Sequence, residues 1–312
     1  MRSGVRLARY ARMNRSALLC LGMLVFAGRS DAAVFGRNRM HLLSPGMEQK
    51  LTAKARANVA RTVSIGGGSG VLVSVRGNRA LLLTNQHVVE GAVGALPVRF
   101  YSGDRQLVAT RSTRVLSMSE SLDYALVEID LHGVDRALVG EPARLRTTPV
   151  KKGEKLYKVG FPGLSLLATP AYGRFDWTEQ DRRNDYARQP TRKVISVGHE
   201  IGGGEVRVFQ DPDPRPGHRA VVPRHSIAID DSSLPGNSGS PVFSADTHEV
   251  VALHWAGGTS HKAGDPELAD RWSTANYAVP MSLVLADVRA NVAAGRIAKD
   301  VAADVRKLAS VR

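Results

Sequence analysis

Cysteine is almost missing: Cys20 is the only one in 312 residues, and it lies in an apolar N-terminal run. The rest of the chain therefore has no disulfide, no thiol nucleophile and no thiolate metal site. Aromatic residues are scarce at 5%, and no Lys/Arg cluster interleaved with aromatics or helix-turn-helix pattern occurs. Specific nucleic-acid binding is therefore not expected, despite a formal net charge of +14. The histidines His41, His132, His199, His218, His248 and His261 show no paired ligand spacing, so no metal is expected. No cofactor motif appears either. Gly202-Gly203-Gly204 lacks the strand–helix setting and the lysine of a phosphate loop, and reads as a hairpin turn. The longest apolar run, from Ala17 to Gly28, has about a dozen residues, fewer than the roughly 20 a spanning helix needs, so no stable membrane anchor is expected.

That run has the makings of an export signal. Arg2, Arg6, Arg9, Arg12 and Arg15 precede it and Ser30-Asp31-Ala32-Ala33 follows, so residues 1–33 are expected to be a signal peptide cut after Ala32 or Ala33. The expected location is secreted or periplasmic. Residues 1–33 hold six Arg and one Asp, which leaves +9 on the remainder, a charge excess that reads as solubilising.

What is abundant is glycine and proline, 30 and 15 residues spread along the chain, as short strands and tight turns require. Apolar stretches of strand length occupy 70–75, 80–85, 97–102 and 124–129. A second set covers 155–161, 192–198, 205–209, 226–230, 241–244, 249–255 and 275–280. The expected organisation is all-β: a leader or propeptide-like segment at 34–62, one β-barrel at 63–147, a second at 148–285, and a helical segment at 286–312. In the helical tail Leu283, Val284, Val288 and Val292, then Ile297, Val301, Val305 and Leu308, recur at helical spacing. The proline-rich stretch 211–219 can only be a loop, and the polar stretch 174–192 reads as an insertion.

Pro235-Gly236-Asn237-Ser238-Gly239-Ser240-Pro241 sets a serine between glycines at the end of one strand and the start of another. Such a loop can aim the N–H groups of Gly236 and Ser238 at one point beside the Ser238 hydroxyl, forming an oxyanion hole. A serine needs a base to take its proton, and the base needs a carboxylate to orient it. His87, after Leu81-Leu82-Leu83-Thr84-Asn85-Gln86, and Asp123, before Tyr124-Ala125-Leu126-Val127, are the candidates, with Asp130 the weaker carboxylate because it ends the strand. The order His, Asp, Ser is one of the known triad orders.

With these pieces the chain resembles the bacterial trypsin/chymotrypsin-like serine endopeptidases. The matching segments are Gly68-Ser69-Gly70-Val71-Leu72-Val73, Leu83-Thr84-Asn85-Gln86-His87-Val88-Val89, Asp123-Tyr124-Ala125-Leu126-Val127, Val159-Gly160-Phe161-Pro162-Gly163 and Gly236-Asn237-Ser238-Gly239-Ser240-Pro241, spread over residues 63 to about 285. The resemblance implies two perpendicular β-barrels of the chymotrypsin type with a C-terminal helix, and a triad of His87, Asp123 and Ser238 in the cleft between them. It implies protein or peptide substrates. Asn237 stands where digestive members carry the Asp that pairs with a freed N-terminal amine, so that activation does not apply unchanged. His254-Trp255 resembles the glutamyl endopeptidase subgroup, in which a histidine before this tryptophan helps bind a P1 carboxylate. Ser233 then takes the place of the pocket hydroxyl, and Ser232 the place where trypsin-type pockets have Asp. His225 is a further candidate support, whereas Ala256 departs from the glycine of that subgroup. Two alternatives stay open: a periplasmic HtrA-like quality-control protease lacking peptide-binding domains, and a non-catalytic binding protein on a protease scaffold. About 27 residues follow residue 285, too few for an appended domain of the first kind.

Overall fold

The computed structural model describes residues 36–90, 96–102, 105–109, 113–168, 175–176, 192–210, 220–257 and 275–309. The described chain opens with β1 (Gly36–Arg37) and β2 (Met40–Leu42), followed by helices α1 (Pro45–Lys50) and α2 (Ala53–Arg61). A hydroxyl caps each helix: Ser44 Oγ accepts from the Met47 N–H and Thr52 Oγ1 from the Ala55 N–H, pairing donors the first turn would leave free. β3 (Thr62–Ile65), β4 (Gly68–Arg76), β5 (Arg79–Thr84), the single-turn helix α3 (Gln86–Val89), β6 (Val98–Ser102), β7 (Arg105–Ala109), β8 (Thr113–Ser119) and β9 (Tyr124–Asp130) come next. These strands form one seven-stranded antiparallel sheet in the order β7-β6-β3-β4-β5-β9-β8.

The second half supplies β10 (Lys155–Gly160), β11 (Phe175–Asp176), β12 (Val194–Gln210), β13 (Ala220–Ile229), β14 (Pro241–Ser244), β15 (Val250–Gly257) and β16 (Asn276–Pro280). β11 pairs with β1; the other six run in the order β10-β14-β15-β16-β13-β12, and β12 pairs again with β10, so these six strands close into a barrel. β2 adds to the free edge of β12 through Met40↔Ser196 and Leu42↔Val194. Helices α4 (Met281–Ala293) and α5 (Ala302–Ala309) end the described chain. The architecture is all-β with short helices, as the strand patterning implied. Of the two β units, the barrel closes through its hydrogen-bond ladders, whereas the other is a sheet open between β7 and β8 among the described residues.

The strands nearest the centre are apolar on both faces because both faces are covered. In β4, Val71 and Val73 join one buried cluster and Leu72 another; in β5, Leu81 and Leu83 join the first, and Ala80 and Leu82 the second. The first cluster also holds Val284 and Val288 of α4, Val301 just before α5 and Val305 of α5, so the helical stripe is a docking face on the β core. Exposed ion pairs accompany it, Arg76 to Asp304 at 3.0 Å and Arg114 to Asp300 at 2.9 Å, but pairs of this kind contribute little beside the apolar burial.

Two sequence expectations need correction. Gly202-Gly203-Gly204 is no hairpin turn: all three lie inside β12 and pair with Ala228, Ile227 and Ser226, next to a bulge between Glu200 and Gly202. Glycine is required there for close approach, since a Cβ on Gly203 would stand 2.7 Å from the Ser226 carbonyl oxygen. The runs at 192–198 and 205–209 are accordingly two parts of one 17-residue strand. β2, β7 and β8 lie outside every run read as a strand, being short or charged. The segment expected as a leader contributes β1, β2, α1 and α2, and the buried Asn58 side chain donates to the Tyr157 hydroxyl at 2.7 Å and to the His248 carbonyl at 2.9 Å. The proposed signal segment, the proline-rich loop and most of the polar insertion lie outside the described residues. Among the described residues no helix is long and apolar enough to cross a membrane.

Lys193, just before β12, sits where that strand meets α2 and β6. Its ammonium donates to the Val59 carbonyl at 2.5 Å and lies 5.4 Å from the Phe161 ring centroid. Burial pushes its pKa down to about 7, and Glu48 only partly opposes this. The unfolded lysine holds its proton to about 10.4, so between those values the unfolded state binds more protons and stability rises with pH. Lys193→Met is expected to remove a slope of up to about 1.4 kcal/mol per pH unit. Urea unfolding at pH 7 and pH 9 checks this, and equal slopes in both proteins would refute it.

Candidate active site

The Ser238 loop links β13 to β14 as two successive turns, with the Asn237 N–H donating to Leu234 O at 3.0 Å and the Ser240 N–H to Asn237 O at 2.9 Å. Gly236 and Gly239 take φ values of +96° and +80°, which β-carbons disfavour. A Cβ on Gly239 would also run into Ser69 O and Thr84 Oγ1, so the loop lies pressed against β4 and β5. Ser69 pins it there. Its N–H donates to Ser238 O at 2.8 Å, its hydroxyl donates to Gly236 O at 2.8 Å, and that hydroxyl accepts from the Phe161 N–H at 3.0 Å. Among the described residues the N–H groups of Gly236 and Ser238 donate to no recorded acceptor.

β5 leads directly into α3, which carries His87. The Nδ1 of His87 lies 2.7 Å from Asp123 Oδ2, and the His87 N–H donates to Asp123 Oδ1 at 3.1 Å. Asp123 comes from the turn between β8 and β9, is wholly buried, and has a left-handed φ of +51°. Asparagine and aspartate tolerate that conformation better than other side-chain-bearing residues. Asn85 fixes the turn by donating to Asp123 O at 2.7 Å. Burial opposes ionisation of Asp123, but His87 and Arg224 outweigh it and hold the carboxyl below the usual carboxylate range. Nε2 of His87 is buried and has no hydrogen-bond partner among the described residues. The link from Ser238 to His87 is therefore not closed by a hydrogen bond among the described residues. The two loops nonetheless converge on Gly68, where a Cβ would lie 2.7 Å from Val88 Cγ2 and 2.9 Å from Ser238 O. Asp130 lies at the far end of β9, exposed, with its Oδ1 accepting the His132 N–H.

Behind the serine loop, Ser233 Oγ and His254 Nε2 are 2.7 Å apart, and Asn237 Nδ2 donates to Ser233 Oγ at 3.2 Å. Burial, with Lys158 and His87 nearby, pushes the His254 pKa well down, so this imidazole is neutral. Ser233, His254 and Trp255 are all buried. Ser232 Oγ accepts the Arg39 N–H at 2.9 Å, so the stretch before β2 packs against the residue expected at the pocket base. Beside it Lys158 and Asp231 form a buried pair at 2.9 Å. His225 is exposed in β13, away from this group, because its neighbours Arg224 and Ser226 take the inward positions of the strand. The inward-facing Arg224 is a site residue that the sequence did not reveal. Its Nη1 lies 3.3 Å from Asp123 Oδ2, its Nη2 donates to Glu120 O at 3.0 Å, and its guanidinium carbon lies 4.4 Å from the centre of the Trp255 ring. Among the described residues no group of three potential ligands is placed to hold a metal ion.

Similarities to other proteins bear on the same stretch of chain. Serine protease Do-like HtrA of Bacillus subtilis is 29% identical over 184 residues, 58% of this chain and 31% of that protein. Serine protease Do-like HtrB of the same organism is 35% identical over 188 residues, 60% of this chain and 32% of that protein. The aligned region thus spans about a third of the length of these relatives. Among solved structures, the active form of the M. tuberculosis protease Rv3671c aligns with 79% of this chain and 88% of its own at 18% identity and a TM-score of 0.47. The HtrA-type protease AlgW with a decapeptide aligns over 70% of this chain and 49% of its own at 20% identity and a TM-score of 0.43. The trypsin-like peptidase domain model matches residues 68–253, from the strand that carries Ser69 to the strand that carries His254. Since that span takes in the serine loop, the His87 helix and the Asp123 turn and makes up more than half the chain, the chain belongs to the family of trypsin-like peptidase domains.

Proposed function

We propose that the chain is a serine endopeptidase that cleaves proteins or peptides through Ser238, His87 and Asp123. The observation that carries the reading is the 2.7 Å contact of His87 Nδ1 with the buried Asp123 carboxylate, beside a serine loop whose Gly236 and Ser238 N–H groups have no acceptor among the described residues. Ser238 Oγ attacks the scissile carbonyl carbon as His87 Nε2 takes its proton. The carbonyl oxygen gains the negative charge and is held by the Gly236 and Ser238 N–H groups. Collapse of this intermediate breaks the C–N bond, and His87 gives its proton to the leaving amine. Water then repeats the sequence on the acyl-enzyme, returning the serine. Asp123 keeps the His87 proton on Nδ1, leaving Nε2 free to accept, and stabilises the imidazolium. The purified protein should hydrolyse a peptide library, faster at higher pH because only a neutral imidazole can accept the serine proton, with or without a chelator. Absence of cleavage across the library would count against the proposal.

A narrower reading concerns the P1 residue. The Ser233–His254 pair is the arrangement that would meet a substrate carboxylate, and Ser232 offers no competing negative charge. Both groups are buried, so an acidic P1 side chain needs this pocket to open. Under this reading kcat/KM for Glu exceeds that for Gln, and His254→Ala loses most of the difference while keeping cleavage after small apolar residues, because a site built around a polar group rejects the analogue that leaves it unpaired. Wild-type preference for Lys or Phe would sink it. We also propose export, on the arginine-rich start, the apolar run and Ala32-Ala33. N-terminal sequencing of the protein recovered from a producing cell's envelope or medium tests this, and an intact Met1 would refute it.

A further inference from the structure

We propose that Arg224 is a positioning residue for the triad: from the barrel it clamps the same Asp123 oxygen that pairs with His87, fixing the carboxylate and tempering its hold on the imidazolium. This rests on the endopeptidase reading above.

The arginine side chain is 1% exposed and the aspartate side chain 0%. A guanidinium so deep in a protein needs its charge met and its donors used. Arg224 has its charge met and two of its nitrogens engaged at the site itself, while its buried Nε has no partner among the described residues. Nη1 faces Asp123 Oδ2 at 3.3 Å, Nη2 donates to Glu120 O at 3.0 Å, and the guanidinium carbon sits over the Trp255 ring, 4.4 Å from its centre. Trp255 is fixed in turn, its Nε1 donating to Ser226 Oγ at 3.0 Å. The clamp therefore ties β13 and β15 of the barrel to a turn of the other sheet, across the boundary where the serine loop meets His87.

The electrostatic consequence follows from the shared oxygen. Asp123 Oδ2 accepts from His87 Nδ1 at 2.7 Å and lies near Arg224 Nη1, so two cationic partners compete for one lone-pair region when His87 is protonated. The guanidinium keeps its charge at all working pH values. It adds to His87 in holding Asp123 ionised against burial, and it makes the imidazolium less favourable than Asp123 alone would. The other charged or titratable groups at this junction are Glu120, which acts on Arg224, and the neutral His254, which His87 and Lys158 face. None of them touches Oδ2.

The test compares Arg224→Met, which keeps the apolar stem, with Arg224→Lys, which keeps a charge without the fork. In Arg224→Met the acid limb of kcat/KM against pH is expected to move up by about one unit, with the plateau falling roughly ten- to a hundredfold mainly through kcat. Arg224→Lys should keep the limb near its wild-type position with an intermediate plateau. A folded Arg224→Met protein with the wild-type acid limb overturns the proposal, since a merely structural pair would leave that limb in place. If the methionine variant does not fold, proton NMR of Ser238→Ala with and without Arg224→Gln, which removes the charge but keeps a polar side chain, decides. The proton between His87 Nδ1 and Asp123 is expected to move downfield in the glutamine variant, and an unchanged resonance overturns the clamp. That resonance needs no turnover, so it judges Arg224 separately from the endopeptidase reading, which fails if the wild-type protein cleaves no peptide.

Discussion

Ser238→Ala is expected to lower kcat for peptide hydrolysis by roughly five to six orders of magnitude, because the triad acts as a unit and losing its nucleophile removes nearly all that the unit contributes. The fold should not notice. The loop is held by backbone bonds, Ser69 N–H to Ser238 O and Ser240 N–H to Asn237 O, and by the Ser69 hydroxyl on Gly236 O. The Ser238 hydroxyl makes none of these, so the change in stability should stay within about 0.5 kcal/mol. Turnover measured beside urea unfolding separates the two effects. Activity within tenfold of wild type would remove Ser238 from its role.

Asp123→Asn should behave differently. Turnover at neutral pH is expected to fall about 10⁴-fold, since an amide that turns its NH₂ toward His87 favours the wrong tautomer and leaves Nε2 carrying the proton. The same change removes the negative charge facing Arg224, and an uncompensated buried charge costs about 3–5 kcal/mol. Asp123→Asn should therefore be both slow and less stable, while the double variant Asp123→Asn/Arg224→Met should recover stability and stay slow. Chemical unfolding with kinetics on the wild type, Asp123→Asn, Arg224→Met and the double variant checks this. A stability unchanged in Asp123→Asn would mean that the guanidinium is satisfied without the carboxylate.

The residues proposed as the triad were legible because each carries a local signal. Ser238 lies in a glycine-rich turn between apolar strands, and His87 and Asp123 each flank an apolar run that must be a core strand. Only 36 residues separate His87 from Asp123, and β5 pairs directly with β9, so the sheet itself brings them together. Arg224 gave no such signal. Its carboxylate partner is 101 residues away, and a lone arginine near a proline-rich stretch reads as exposed until the β12–β13 hairpin is seen to turn it inward. Ser69 belonged to a recognised segment, yet its hydroxyl's task depends on the loop and on Phe161, both distant in sequence. The glycine triplet misled because three glycines suit a turn as well as a bulged strand pressed against a neighbouring backbone. The short strand β2 carries too few residues for periodicity to register, and its pairing with β12 is decided by tertiary packing.

The most direct test of the account is covalent. A fluorophosphonate reagent needs a serine hydroxyl with a base to take its proton and N–H groups to hold the phosphonyl oxygen, so it reports the nucleophile, the base and the oxyanion donors in one experiment. Mass spectrometry of the digested, labelled protein should find one phosphonyl group per chain on the peptide containing Ser238, added faster as pH rises, and absent from Ser238→Ala and His87→Ala. An unlabelled wild-type protein, or label carried by another serine such as Ser240, would contradict it.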